Sequence, residues 1–381
     1  MFNPKVTSIP YLVLSGFLLV SSPLAQSGSL PKSTTEMLKR NKLDPAILAD
    51  IDKELRVPQQ WIDQAKKEGK LRIRGTSDAA RRPAKYAPFR ERYPFIDLDV
   101  MGSSHESRVV KTLIAYKSGR VIGDVVDSPG KNLERFKELN ALQDVRDIPA
   151  LRNVIPEARD PEGLWIAHGA NTYCMAYNTR AVQRKDLPNQ WEDLLVNPVW
   201  KNGNLAVANR PERWALSLWK AKGETQTKEF LARLFAEVKP QHRKEGLNAM
   251  SQLLAAGEFH AVIPASNSTI YRVAQEGAPI NFWCPEPASF VLSITLALRG
   301  PNIYATKLYL NWMVSKEGQI AQQIDNSGTP IHSELQSKAF FPYADHIVDR
   351  QKIFMSISDE QRLMPKLTTF WNNLWLRGAK R

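Results

Sequence analysis

The sequence predicts an α/β protein built as two lobes. Two observations carry this expectation. The chain has 381 residues, beyond the size at which a single hydrophobic core keeps growing. Three strand–loop–helix units also follow one another between Leu71 and Pro129, the pattern of a mostly parallel sheet with helices on its faces. Composition fits: 43% of residues are hydrophobic and 24% charged, ordinary for a globular chain and far from disordered composition.

The first residues bear on compartment. Met1 to Lys5 carry one positive charge, Ile9 to Val20 are apolar, and Ser21-Ser22-Pro23-Leu24-Ala25-Gln26-Ser27 are mostly small. This is the pattern of a secretory signal peptide, expected over 1–27 with the cut after Ala25 or Ser27. The apolar run is roughly twelve residues, short of the ~20 that a membrane span requires. An uncleaved anchor is the alternative. No cysteine lies near the cut, so no lipid anchor is expected. Removal of the segment costs only Lys5, so the mature chain keeps nearly all of its formal charge of +13. Nucleic acid is a poor partner for an exported chain with no basic–aromatic motif. What remains is a bias towards an anionic ligand.

Each element follows in order. Leu30 to Lys67 reads as a helical leader, with Leu38, Leu43, Ile47, Leu48, Ile51 and Leu55 apolar and Pro45 and Pro58 as breaks; it is expected on the outside of lobe one. Trp61 to Gly69 is a short helix stopped by glycine. Leu71–Arg74 is the first strand, Phe95–Val100 the second and Val121–Val126 the third. The loops after them are Gly75-Thr76-Ser77-Asp78, Gly102-Ser103-Ser104-His105-Glu106 and Asp127-Ser128-Pro129. Ser103 and Glu106 form a capping-box signature for the helix through Tyr116, and Pro129 suits a first helical position. Ligands of parallel sheets bind beyond the carboxyl ends of the strands, which puts Ser77, Asp78, Ser103, Ser104, Asp127 and Ser128 on one rim. Each of these can equally cap its helix; their convergence is the argument for a site. Helix N-termini on that rim would favour an anion.

Asn171 to Arg180, NTYCMAYNTR, is a β-prone stretch ended by a polar break. Leu205–Ala208 is a further strand, followed by Arg210 and by Pro211 at a helix start. An arginine there can clamp a carboxylate or phosphonate through two parallel hydrogen bonds. Glu245–Ala256 is a helix, Ala261–Ile263 a strand, and Asn267 and Ser268 follow it. Phe290–Leu298 is a strand, Arg299-Gly300-Pro301-Asn302 a turn, and Asn302–Val314 a helix that runs into Ser315-Lys316-Glu317-Gly318-Gln319.

The run NTYCMAYNT, then LPNQWEDL (187–194), NPVWKNG (197–203), GAPI (277–280), a proline-rich hinge and a helix closing in VSKEGQ resembles bacterial extracytoplasmic solute-binding proteins, in the group of ferric-iron, phosphonate and polyamine receptors. The resemblance spans about residues 58 to 335. It implies two Rossmann-like lobes joined by crossing hinge strands, the type II periplasmic-binding fold. The organisation it implies is a signal peptide at 1–27, a helical leader at 28–67, lobe 1 at 68–175, lobe 2 at 176–282, and a return to lobe 1 with a helical tail at 283–381. NTYCMAYNTR would be the first crossing and Ile280–Pro285 the return. Cys174 and Cys284 would then lie close enough for a disulfide across the hinge; two buried free thiols are the alternative.

The resemblance further implies a monomeric periplasmic receptor of an ABC importer, without chemistry or cofactor of its own. Its partners would be a small-molecule solute and an inner-membrane permease, with no role for nucleic acid. The expected ligand contacts are Ser77, Asp78, Ser104, Ser128, Tyr173, Arg210, Asn267 and Ser268. Arg210 points to an anionic cargo, whereas Asp78 would select against a pure anion unless it pairs with an amine or a donor, which favours a zwitterion such as an aminophosphonate. Ferric relatives hold iron with adjacent tyrosines, whereas the corresponding loop here reads Ala265-Ser266-Asn267-Ser268 and no Tyr-Tyr pair exists. A metal-chelate receptor, a ligand sensor for a membrane signalling protein and a secreted hydrolase are the alternatives. No two of the six histidines have zinc-ligand spacing, and no GxSxG, HExxH or P-loop motif is present.

Overall fold

A computed structural model describes residues 29–76, 79–326, 328–336, 347 and 349–378. The segment expected as a signal peptide, Ser77 and Asp78 lie outside the described residues. The leader is α1 (Lys32–Arg40), a single turn α2 (Ile51–Glu54) and α3 (Gln59–Glu68). α3 ends at Gly69, whose φ of 63° accepts the left-handed cap that a side chain would resist.

Lobe one follows as β1 (Lys70–Gly75), α4 (Arg82–Arg92), β2 (Asp97–Gly102), α5 (Lys111–Lys117), β3 (Val125–Asp127) and α6 (Leu133–Glu138). Then come β4 (Ile166–Asn178), β5 (Leu205–Ala208), α7 (Ala215–Lys222), α8 (Glu224–Arg233), β6 (Gln241–Arg243), α9 (Leu247–Ala256), β7 (Ala261–Ser266), α10 (Asn267–Gln275) and β8 (Ile280–Trp283). The chain closes with β9 (Ala288–Ala297), α11 (Ile303–Val314), α12 (Lys316–Asn326), β10 (Lys352–Met355) and α13 (Ile357–Gly378).

All ten strands belong to one sheet, in the order β2-β1-β3-β9-β4-β7-β5-β6, with β10 on β9 and β8 on β4. β1 runs parallel to β2 and β3, and β5 parallel to β6 and β7. Two long antiparallel strands join these groups. Residues 166–173 of β4 pair with β9, and Tyr173 to Tyr177 pair with β7. β9 in turn pairs with β3 through Thr295, Leu296 and Ala297. One strand thus serves both halves of the sheet, as a type II crossing requires.

Several boundaries differ from the sequence reading. β2 begins at Asp97, two residues late, and β3 is only Val125–Asp127. The chain after β2 enters a π-helical turn, Glu106–Val110, that runs into α5, and the hydroxyl at its start is that of Ser104, whose Oγ accepts from the Ser107 N–H at 3.3 Å. Ser103 Oγ is buried with no partner, so the Ser103–Glu106 box does not form. After Pro129 the chain makes a 3-10 turn (Gly130–Asn132) before α6. β8 pairs with Met175–Asn178 in the lobe-two half of β4, so Ile280–Trp283 lies in lobe two and the return crossing is β9. Cys174 and Cys284 form a disulfide that ties β4 to the segment after β8.

The leader is sewn into lobe one by buried charge. Glu317, fully buried at the head of α12, accepts from Arg92 Nε at 2.6 Å and Nη2 at 3.0 Å, from Thr34 Oγ1 at 2.6 Å and from Trp312 Nε1 at 2.8 Å. Glu68 accepts from the Tyr304 and Ala305 N–H groups and so caps α11. Glu54 accepts from His332 Nε2 at 2.8 Å and Asn153 Nδ2 at 3.1 Å. The tail goes to the other lobe. Leu363, Leu367, Trp371 and Trp375 of α13 pack in the lobe-two core, and Trp371 Nε1 donates to Asn209 Oδ1.

Two predictions follow from this buried charge. Glu317→Ala leaves the Arg92 guanidinium only the exposed Asp52 as an ion-pair partner, leaves the Thr34 and Trp312 donors unpaired, and should cost about 3–5 kcal/mol in urea unfolding; a loss below 1 kcal/mol would contradict the structure. For Glu54, burial pushes the carboxyl up, but the hydrogen bond and charge of His332, with help from Asn153 and Lys316, hold it below its ordinary value of 4.5. A depressed carboxyl stabilises the fold above its unfolded pKa and loses that contribution as pH falls through the folded one. The urea midpoint should therefore drop as pH falls below about 4.5, with a shallower slope in Glu54→Gln.

Candidate functional site

The carboxyl ends of β1, β2 and β3 and those of β5, β6 and β7 face one another across the segment of β4 and β9 shared by both halves. The registers locate this segment. Asp127, the end of β3, lies level with Thr295, and Thr295 with Ile166. Ser266, the end of β7, lies level with Tyr173. Two register shifts, between Ala167 and Gly169 and between Cys174 and Ala176, bracket the stretch from 169 to 173. Bulges of this kind re-aim side chains beside functional sites. Between them burial alternates with the period of a strand: Gly169, Asn171 and Tyr173 are half-exposed, Ala170 and Thr172 buried.

Asn171 and Tyr173 meet residues from both sides. Asn171 Nδ2 donates to Ser293 Oγ at 3.3 Å, and Asn171 Oδ1 accepts from Ser268 Oγ at 3.5 Å. Ser268 and Ser266 share a hydroxyl bond of 3.0 Å. The Arg213 guanidinium lies 5.2 Å from the Tyr173 ring centroid, within cation–π range. The Arg213 backbone is held by Ser289 Oγ on β9. Asn267, the first residue of α10, is fully buried. Its Oδ1 accepts from the Thr172 N–H at 3.2 Å, and its Nδ2 has no partner. A buried amide with an unused donor costs free energy.

The lobe-one side carries Ser104 and Ser128. Ser104 is exposed. Ser128 has φ of 50°, and its N–H donates to Ile294 O on β9 at 2.7 Å. His105 Nε2 lies 3.3 Å from Pro129 O, which holds the β2 and β3 loops together. Below this rim the Thr295 hydroxyl donates to Asp127 Oδ1 at 2.7 Å and lies 2.8 Å from His168 Nδ1, so β3, β9 and β4 are tied at the cleft floor.

The structure therefore gathers Tyr173, Asn267 and Ser268 into one cluster and sets Ser104 and Ser128 on the opposite lobe. Arg210 stands exposed at the start of the turn Pro211–Arg213. The cation over Tyr173 is Arg213, three residues on. Sequence reading favours Arg210 because it stands two residues past β5; the 3-10 turn carries the next arginine back to the hinge. Asn171 was also missed. Its signal was available in the alternation of NTYC, where a polar residue shares a face with Tyr173.

A model of the bacterial extracellular solute-binding proteins matches residues 124–343. The chain belongs to that family. No curated protein matches it by sequence. Among solved structures, iron-bound HitA from Pseudomonas aeruginosa is 20% identical with a TM-score of 0.60, covering 80% of this chain and 98% of its own. The FutA protein of Trichodesmium, in complex with iron and citrate, is 17% identical with a TM-score of 0.65, covering 80% and 99%. The Atu4243 GABA receptor is 14% identical with a TM-score of 0.60, covering 80% and 97%. These likenesses fix the fold as the two-lobed type II periplasmic-binding architecture, and their cargoes differ among themselves.

Replacing Arg213 by alanine should weaken binding of an anionic solute by about 1.5–3 kcal/mol, the range for a hydrogen bond to a charged group. The same change at exposed Arg210 should cost less than half as much. Isothermal titration of both variants checks the order, and the reverse order would return the anion clamp to Arg210.

Proposed function

We propose that this protein is the periplasmic receptor of an ABC importer and captures a small anionic or zwitterionic organic solute between its lobes. The observation that carries the reading is the hinge cluster: Asn171, Tyr173 and Ser268 beside Arg213, with the buried Asn267 amide donor unused. These groups bind and orient; none is arranged as a nucleophile with a base, which supports binding without turnover. Contacts from both rims favour the closed form. That form, as a monomer, would dock on the permease. The apolar N-terminal run supports export, and the membership of a solute-binding family agrees with it.

Iron is the second reading, favoured by the iron in two of the solved structures. The residues here suit it less. Among the described residues no three His, Cys, Asp or Glu side chains group as a metal site. Tyr173 sits under a guanidinium, which repels a trivalent cation.

A thermal-shift screen of the mature protein separates the readings. The panel holds ferric and ferrous salts, phosphonates, amino acids including GABA, carboxylates and polyamines. A solute at a hundredfold excess over its dissociation constant adds about 2.7 kcal/mol of stability. A shift with an organic anion or zwitterion, unchanged after incubation, is the expected result. A shift with ferric salt alone would establish the iron reading, and turnover of the binding compound would establish an enzyme.

A further inference from the structure

α13 begins beyond residue 343, where the family-matched stretch ends. It does more than cover lobe two. A cavity of about 400 Å³ lies between its first half and the loop after β3. Lobe one supplies Gly130 and Lys131, and α13 supplies Ile357, Glu360, Gln361, Met364, Pro365 and Thr368. That volume is in the range of small-molecule sites, which are mostly apolar with a few polar groups. Gly130 and Lys131 follow Asp127 and Ser128 in the loop after β3; none of the cluster residues lines the cavity, which is linked to the candidate site through Glu360, within electrostatic reach of Arg213.

The α13 wall is fixed to lobe two. Asp359 accepts from Lys220 Nζ at 2.7 Å, and Trp371 packs edge-on against Trp214 and Phe235. A solute in this cavity therefore touches lobe two through α13 and lobe one through Lys131. The charges are unequal. Glu360 lies within electrostatic reach of Arg213 and Glu212, and Arg213 lies 3.7 Å from Glu212. Lys131, exposed on lobe one, has no acidic partner among the described residues.

We infer that α13 is one wall of the ligand cleft and that the cargo is an organic acid with an apolar body. Its carboxylate lies towards Lys131, and its carbon chain or ring lies on Ile357, Met364 and Pro365. This rests on the receptor reading above and names the solute class for it.

The test is a titration of the mature protein with straight-chain carboxylates from acetate to octanoate and with phenylacetate, alongside ferric citrate, GABA and methylphosphonate. Burial of each methylene should tighten binding about fourfold until the cavity is full. Met364→Lys should weaken octanoate and phenylacetate at least tenfold while barely changing acetate. Lys131→Ala should weaken every carboxylate several-fold; it lies on the opposite lobe, so it keeps the test decisive if Met364→Lys misfolds. Carboxylate binding without a chain-length gradient, or with a gradient that both variants leave intact, would overturn the inference. So would tight binding of another probe that ignores both substitutions, although the receptor reading would then stand. Silence across all probes would sink both.

Discussion

The structure depends on one constraint: β4 has to pair correctly in both halves of the sheet at once. Its first half pairs with β9 and its second with β7 and β8. Side chains alternate along a strand, so a slip of one residue would turn Asn171 and Tyr173 into the core and bring Thr172 out. The same slip would break pairing in both lobes. The chain guards against it on each side. The Cys174–Cys284 disulfide pins β4 just past Tyr173, and the contact of Thr172 with Thr329 Oγ1, at 3.2 Å, holds it just before. Asn178 ends the strand by accepting from the Arg180 N–H and donating to Leu254 O.

That constraint explains which parts of the fold were legible in the sequence. The motifs that carry the family resemblance are fasteners of the frame. Trp191 of LPNQWEDL donates to Pro287 O, beside the return strand, and Asp193 caps the Asn189 and Gln190 N–H groups. Asn197 of NPVWKNG accepts from Val199 N–H, and Trp200 is buried. In VSKEGQ, Ser315 and Gln319 bond back to the end of α11, and Gln319 also reaches His168 O on β4. A Cβ on Gly318 would overlap the Trp312 carbonyl oxygen. Such residues report the architecture because packing demands them. They stand away from the rim and carry no information about cargo.

The site was legible only in part, for a related reason. Tyr173, Asn267 and Ser268 could be found because they sit in or directly after strands, where position follows from pairing. Arg213 and the roles of Ser103 and Ser104 hinged on single turns, whose geometry one residue of slippage reverses. The leader and tail were harder still. Nothing in the sequence reading singles out Glu54, Glu68 or Arg92, yet Glu54, Glu68 and Glu317 each bond to a group more than 200 positions away, Glu54 and Glu317 from buried positions. Nothing local marks a glutamate as the one that a distant arginine will bury.

Leader and tail also divide the labour between the lobes. The leader is joined to lobe one through Glu54, Glu68 and Glu317, so it stiffens the half that carries Ser104, Ser128 and Lys131. The tail is joined to lobe two through Trp371, Trp375 and the Lys220–Asp359 pair, so it moves with Arg213, Asn267 and Ser268. Each lobe is thereby a firmer body than its own strands would make it, and the two are joined through β4 and β9. Rigid halves on a two-strand hinge convert a small solute's contacts into a change of the whole molecule. A loose rim would instead absorb the same contacts by local rearrangement. In this frame the cargo is set by whatever the two rims and the α13 wall present to each other, and the shared fold is compatible with iron in one relative and an amino acid in another.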